Sequence, residues 1–188
     1  LCGVLAGGIS LRVRGLKQRE LALGRANAEL DWRVRERTSE LAEASGLLEA
    51  MLEHSPDLIY FKDRESRFVR FSKAYLQRFG LAGPELMRGR TDADFYAAEH
   101  AQPAMADEQE IIRTGRPIVG KMEEEIHSDG HTTWALTTKM PWRDRAGEIV
   151  GTFGISKDIT ALKETEQKLE QLHRQLLDAS RQAGMAEV

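Results

Sequence analysis

Ile149-Val150-Gly151-Thr152-Phe153-Gly154-Ile155-Ser156-Lys157-Asp158-Ile159-Thr160 begins as a strand and ends as the entrance to a helix. Residues 149–156 are rich in β-branched and aromatic side chains. At Asp158-Ile159-Thr160 the period changes. Thr160 suits a helix N-cap, and Leu162, Leu169 and Leu176 then recur every seven residues with Leu172 between them, a stripe that continues through Ala179 and Ala183. That spacing predicts a second, parallel coiled-coil helix over 161–188.

Upstream of this junction the chain alternates between strand and turn. Residues 118–127 and 131–140 read as strands around Ser128-Asp129-Gly130, where Asp-Gly is a hairpin signal, and residues 144–148 turn the second strand into 149–156. Further back, residues 58–62 and 67–72 flank the polar turn Asp63-Arg64-Glu65-Ser66 and predict another hairpin. Between the two hairpins lie a short helix over 74–79, turns at Gly83-Pro84 and Gly89, a helical turn over 92–96, and a longer helix over 100–114. The last carries Met105, Glu108, Ile111 and Ile112 near helical spacing and ends at Gly115 and Pro117. The fold class this order implies is α+β, with one five-stranded antiparallel sheet and short helices on one face.

Residues 12–52 have helix composition, without proline. Leu16, Leu23 and Leu30 recur every seven residues, and Val34, Leu41 and Leu48 continue the stripe after a four-residue step. The intervening positions Glu20, Asn27 and Arg37 are polar, so the seam is interrupted, as a coiled coil able to change register would be. A plain spacer helix has almost the same pattern. Pro56 stops the helix, since it disfavours helical geometry at the residue before it. Residues 1–11 are almost wholly apolar and are followed by Arg12, Arg14, Lys17 and Arg19. Eleven residues are too few to span a bilayer, which takes about 20, but they suit the end of a membrane span with its basic cytoplasmic flank.

A charged fraction of 30%, a hydrophobic fraction of 41% and a net charge of -3 give no electrostatic reason to expect nucleic acid as a partner. Cys2 is the only cysteine, so no internal disulfide or thiolate cluster can form. No phosphate loop or nucleophile motif is present, and no catalytic residue is assigned.

Residues 48–160 resemble the PAS family. The signals are Ser55-Pro56-Asp57 before the first strand, Asp129-Gly130 in the hairpin, Gly147, and the ending Asp158-Ile159-Thr160. The resemblance implies a PAS fold over 53–160, with Asp158, Ile159 and Thr160 relaying a signal into the following helix. The run Asn27-Ala28-Glu29-Leu30 to Glu40-Leu41 is similar to linkers joining a membrane span to a PAS domain. The run 180–188 is similar to the start of a histidine-kinase dimerisation helix. Together they imply the sensing module of a membrane-anchored, dimeric bacterial histidine kinase on the cytoplasmic side of the inner membrane. A response regulator would be its partner through a kinase core that these residues do not contain. A ligand-free dimerisation and relay module, or a PAS regulator of another output such as a cyclic-dinucleotide cyclase, are the alternatives.

The family binds small molecules between sheet and helices, which makes Tyr60, Phe71, Tyr75, Phe95, Met105, Ile112, Trp134, Leu136, Phe153 and Ile155 the candidate ligand pocket. The same side chains could instead fill that space. Cofactor identity stays open. Flavin-cysteine photochemistry is excluded because no cysteine lies in the domain, and haem is not expected because no matching motif surrounds His100. His54, His100, His127, His131 and His173 show no tight ligand spacing, so no metal is assigned, and His127 and His131 are expected as exposed turn residues. Alternation along Glu123-Glu124-Glu125 suggests that Glu123 and Glu125 face solvent. Glu124 would then need an inward partner such as Lys139 or Arg113.

Overall fold

The computed structural model describes the backbone of residues 2–185 and the side chains of residues 17–181. The readings placed on residues 1–11, on Leu16 and on residues 182–188 therefore lie outside the described side chains. The chain divides into two units, residues 1–50 and 51–188. The first consists of helix α1 (Cys2–His54), which runs on into the second unit. Along α1, Leu23, Leu30, Val34 and Leu41 are 57–63% exposed, and only Leu48 is half-buried. The i,i+4 pair of Arg33 with Glu29 and the i,i+3 pair of Arg37 with Glu40 lie on its surface. Among the described residues no helix is long and apolar enough to cross a membrane.

In the second unit five strands follow: β1 (Leu58–Asp63), β2 (Phe68–Phe71), β3 (Ile118–Ile126), β4 (Thr132–Arg143) and β5 (Ile149–Asp158). They form one antiparallel sheet in the order β2-β1-β5-β4-β3. Helix α2 (Lys73–Arg78), two short turns of 3-10 helix and helix α3 (Ala98–Thr114) lie between β2 and β3, and helix α4 (Thr160–Met185) leaves from β5. Strand β4 extends three residues beyond the expected 140. Pro141 is tolerated there because β4 has outrun β3, whose pairing stops with Ile118 opposite Lys139, so no β3 acceptor is left without a donor.

Local chemistry sets the turns. In the first hairpin Asp63 Oδ1 accepts from the backbone N–H groups of Glu65 and Arg67, at 3.0 and 2.9 Å. In the second, the N–H of Gly130 donates to the His127 carbonyl and that of His127 to the His131 carbonyl, both at 2.9 Å. Gly130 has φ +88° there, a conformation that costs a residue without Cβ nothing.

An apolar core of Leu58, Tyr60, Phe68, Tyr75 and Met87 fills one end of the space between sheet and helices, with Phe71, Phe79 and Phe95 packed against it. Tyr60 meets Phe68 and Tyr75 edge to face, at 6.2 and 6.0 Å between ring centres. Its ring lies over Gly154, its cross-strand partner on β5. A Cβ at position 154 would stand 2.4 Å from Tyr60 Cζ and Oη. Gly154→Val is accordingly expected to destabilise the domain by about 1–3 kcal/mol, the range for overpacking. In a Tyr60→Ala background the same change should cost less, and thermal unfolding of the four proteins of this cycle measures the difference.

Candidate functional site

The inner face of the sheet holds charge where its sequence reads as aromatic and aliphatic. Along β1 the alternating positions Leu58, Tyr60 and Lys62 face inward, and Lys62 is 1% exposed. Its Nζ donates to Asp92 Oδ2 at 2.5 Å and to Glu108 Oε1 at 2.6 Å, and lies 4.5 Å from the centre of the Phe68 ring. Asp92 is held inward by a capping box, in which Thr91 N–H donates to Asp94 Oδ2 at 2.8 Å. Glu108 shares the buried face of α3 with Ala101, Ala104 and Ile111, at helical spacing.

A second charged cluster lies on β3 and β4. Lys139, 2% exposed, donates to Asp107 Oδ2 at 3.2 Å and reaches Glu123 Oε1 at 3.5 Å. Lys121 contacts the same two carboxylates at 2.5 and 3.1 Å. Between the clusters is a cavity of about 20 Å³, lined by Tyr60, Lys62, Tyr75, Asp92, Tyr96, His100, Ala104, Glu108, Glu123, Glu125, Lys139 and Ser156. That is room for a single water. Among the described residues no protein group donates to buried Glu108 Oε2, so it can accept from a donor that enters.

Electrostatics follow from burial and pairing. Burial raises the Glu108 carboxyl above its ordinary value, against the pull of Lys62, and the Asp92 charge adds to the rise. Burial disfavours the Lys62 charge, but Asp92 and Glu108 outweigh it and hold its pKa above the usual lysine value. His127 is pushed down to about 4, by burial first and then by His131 and Arg78. Its ring stacks on His131 at 3.8 Å, and its Nε2 is 3.0 Å from Thr133 Oγ1.

The structure corrects several expectations. Of the ten candidate pocket residues only Tyr60 and Tyr75 line the cavity. Phe71 and Phe95 pack against the neighbouring core, and Met105 and Ile112 are half-buried on α3, away from the lining. Trp134, Leu136, Phe153 and Ile155 lie on the opposite face of the sheet. Phe153 stacks there on Phe61 at 5.6 Å, and Leu136 and Ile155 are 39% and 42% exposed. The alternation in β3 is likewise reversed. Glu123 and Glu125 point inward, while Glu124 is exposed with its strand neighbour Met122. Lys139 therefore pairs with Glu123. His127 is buried, not an exposed turn residue, because Tyr96 bridges to it and Phe79 packs on its ring.

The signals that could have found Lys62 and Glu108 are their phases: each falls on the buried side of its own element. At the relay residues, Ile159 N–H donates to the Trp134 carbonyl at 2.8 Å, and Trp134 N–H donates to Thr160 Oγ1 at 2.9 Å. Thr160 is thus the first residue of α4 and not its cap. Its own N–H donates to Asp158 Oδ1 at 2.9 Å.

Lys62→Met would leave two buried carboxylates unpaired and cost about 3–5 kcal/mol. The loss, read by urea unfolding at neutral pH, should shrink as pH falls and Glu108, already raised by burial, takes up a proton. His127 has a folded value below the 6.5 of an ordinary imidazole, so the unfolded chain protonates first as pH falls. Stability supplied by neutral His127 is therefore present above pH 6.5 and is lost toward pH 4, and His127→Phe should flatten that part of the pH profile.

Three known proteins share this region. The Methanothrix harundinacea methanogenesis regulatory histidine kinase FilI is 29% identical over 145 residues, covering 77% of this chain and 16% of that protein. A Vibrio cholerae diguanylate cyclase is 27% identical over 115 residues, covering 61% and 36%. The chain thus spans a small part of the length of these curated relatives. Among solved structures, the Vibrio cholerae VqmA dimer in the absence of target DNA is similar with TM-score 0.53 and 31% identity, over 60% of this chain and 50% of that one. VqmA bound to DPO gives TM-score 0.52 and 32% identity, over 58% and 55%. The PAS fold family matches residues 52–164, from the last turn of α1 to the first turn of α4, and the chain belongs to that family.

Proposed function

We propose that this chain is the sensing and relay module of a dimeric sensor histidine kinase. The observation that carries the reading is a charged cavity lined in part by Ser156 of β5, the strand that leads directly into α4 at Thr160. Leu162, Leu169, Leu172 and Leu176 on α4 are 48–70% exposed in the single chain, as are Leu23, Leu30, Val34 and Leu41 of the α1 seam. Such seams are suited to a second copy of the chain. A stimulus would act by favouring one arrangement of these helices over another, through its own differential free energy. The similarity to FilI supports a kinase as the output, which a response regulator would then receive. Membrane attachment through the N-terminal segment, and a place on the cytoplasmic side of the inner membrane, belong to the same proposal. In this reading the chain is not itself an enzyme; ATP-dependent phosphorylation of a histidine is the work of the parent protein.

Apart from Ala104 the lining residues all carry polar groups, so a ligand here would be small and rich in hydrogen-bonding groups, with a donor for Glu108 Oε2. VqmA, whose structure bound to DPO is similar, supports occupancy of this fold by a ligand. The 20 Å³ volume favours the second reading, a relay that binds nothing and transmits motion arriving through α1. The diguanylate cyclase relative supports a different output from the same module.

Native mass spectrometry of the purified chain separates these readings. A dimer with additional retained mass is expected for a ligand sensor, and a dimer of bare protein mass for the relay. A monomer would overturn the role given to both seams.

A further inference from the structure

Arg78, the last residue of α2, is outside the cavity lining, yet two carboxylates with different tasks share its guanidinium. Nη1 donates to Glu125 Oε2 at 3.1 Å and to Thr133 Oγ1 at 3.2 Å, while Nη2 donates to Asp158 Oδ2 at 2.6 Å. Glu125 is a wall of the cavity. Asp158 holds the N–H of Thr160, where α4 begins. The Arg78 side chain is 14% exposed and that of Glu125 5%, so this pair is shielded from water; Asp158 is 47% exposed and its bond is the more easily released. Because a guanidinium is planar and rigid, its two nitrogens cannot adjust independently to two acceptors. Moving one acceptor moves the other bond.

We propose that Arg78 is the coupling residue through which the charge or position of Glu125, in the cavity wall, is felt at the first turn of α4. Burial already raises the Glu125 carboxyl, against the pull of Arg78, so its charge is held largely by that partner. A donor entering the cavity, or a proton taken up by Glu125, would compete with Arg78 for it. The guanidinium, released from Glu125 and left with Thr133 as the acceptor of Nη1, would then shift and loosen its bond to Asp158. The hydrogen bonds of Trp134 with Ile159 and Thr160, and the ladder pairing of Asp158 with Ala135, would remain. This inference rests on the sensing and relay reading above, and it supplies that reading with a physical route.

Hydrogen exchange on the purified chain tests it without a ligand or a downstream enzyme. Glu125→Gln removes the cavity-wall charge without touching α4. It is expected to speed exchange of the α4 amides at residues 163–165 by roughly fivefold, the scale of one net hydrogen bond. Amides near the end of α3, at residues 111 and 112, should be unchanged. In an Arg78→Met background, Glu125→Gln should add nothing further at residues 163–165. If Arg78→Met does not fold, Arg78→Lys keeps a charge but loses the rigid guanidinium plane that links the two bonds, and it should abolish the same coupling. The proposal is overturned if Glu125→Gln leaves exchange at α4 unchanged, or if its effect persists in the Arg78 variant. Either result leaves the sensing reading standing, because that depends on subunit number and bound mass.

Discussion

Lys62 is an ammonium enclosed by protein, and such a group is stable only where carboxylates meet it at hydrogen-bond distance. The two that do so come from elements far apart in the sequence, Asp92 from a turn of 3-10 helix and Glu108 from the middle of α3. One cation on β1 therefore fixes where two layers of the domain meet. The capping box at Thr91 and the inward phase of α3 follow from the need to deliver those carboxylates. So does the small, polar cavity beside them.

The sheet consequently has two unlike faces. On the helix side, hydroxyls, carboxylates and ammonium groups from β1, β3, β4 and β5 interdigitate with the apolar core confined to the β2 end. On the other side, Phe61 packs edge-on against Trp142 and stacks on Phe153, among partly exposed Met122, Leu136 and Ile155. Charge networks have discrete arrangements and respond to a proton or a polar molecule, whereas close-packed aliphatic cores resist change. A sensor whose interior is charged is therefore suited to stimuli that alter ionisation or hydrogen bonding.

In the proposed relay, output would pass through a short stretch of backbone. The junction from β5 to α4 is tied to β4 at Trp134 by two hydrogen bonds and to α2 by the Arg78–Asp158 pair. Lys163, one turn into α4, lies 5.9 Å from the Trp134 ring centre. Trp134, expected in a pocket, instead underlies the helix junction. Its place on the outer face keeps it off the cavity and beside the start of α4.

Local sequence determined the element order, the Asp129-Gly130 and Gly115 stops, the helix entrance at Asp158-Ile159-Thr160 and the leucine stripes, because these depend on turn chemistry and on the periods of helix and strand. It did not determine which face of each strand is buried. Alternation defines two faces but labels neither, and the usual label, apolar inward, failed for β3 to β5 because ion pairs with α2 and α3 let charged side chains occupy the inner face. The same limit hid the site. Lys62, Asp92, Glu108, Glu125 and Arg78 are unremarkable charges one by one, and only the tertiary structure brings them within 2.5–3.1 Å of one another's partners, where burial makes pairing obligatory.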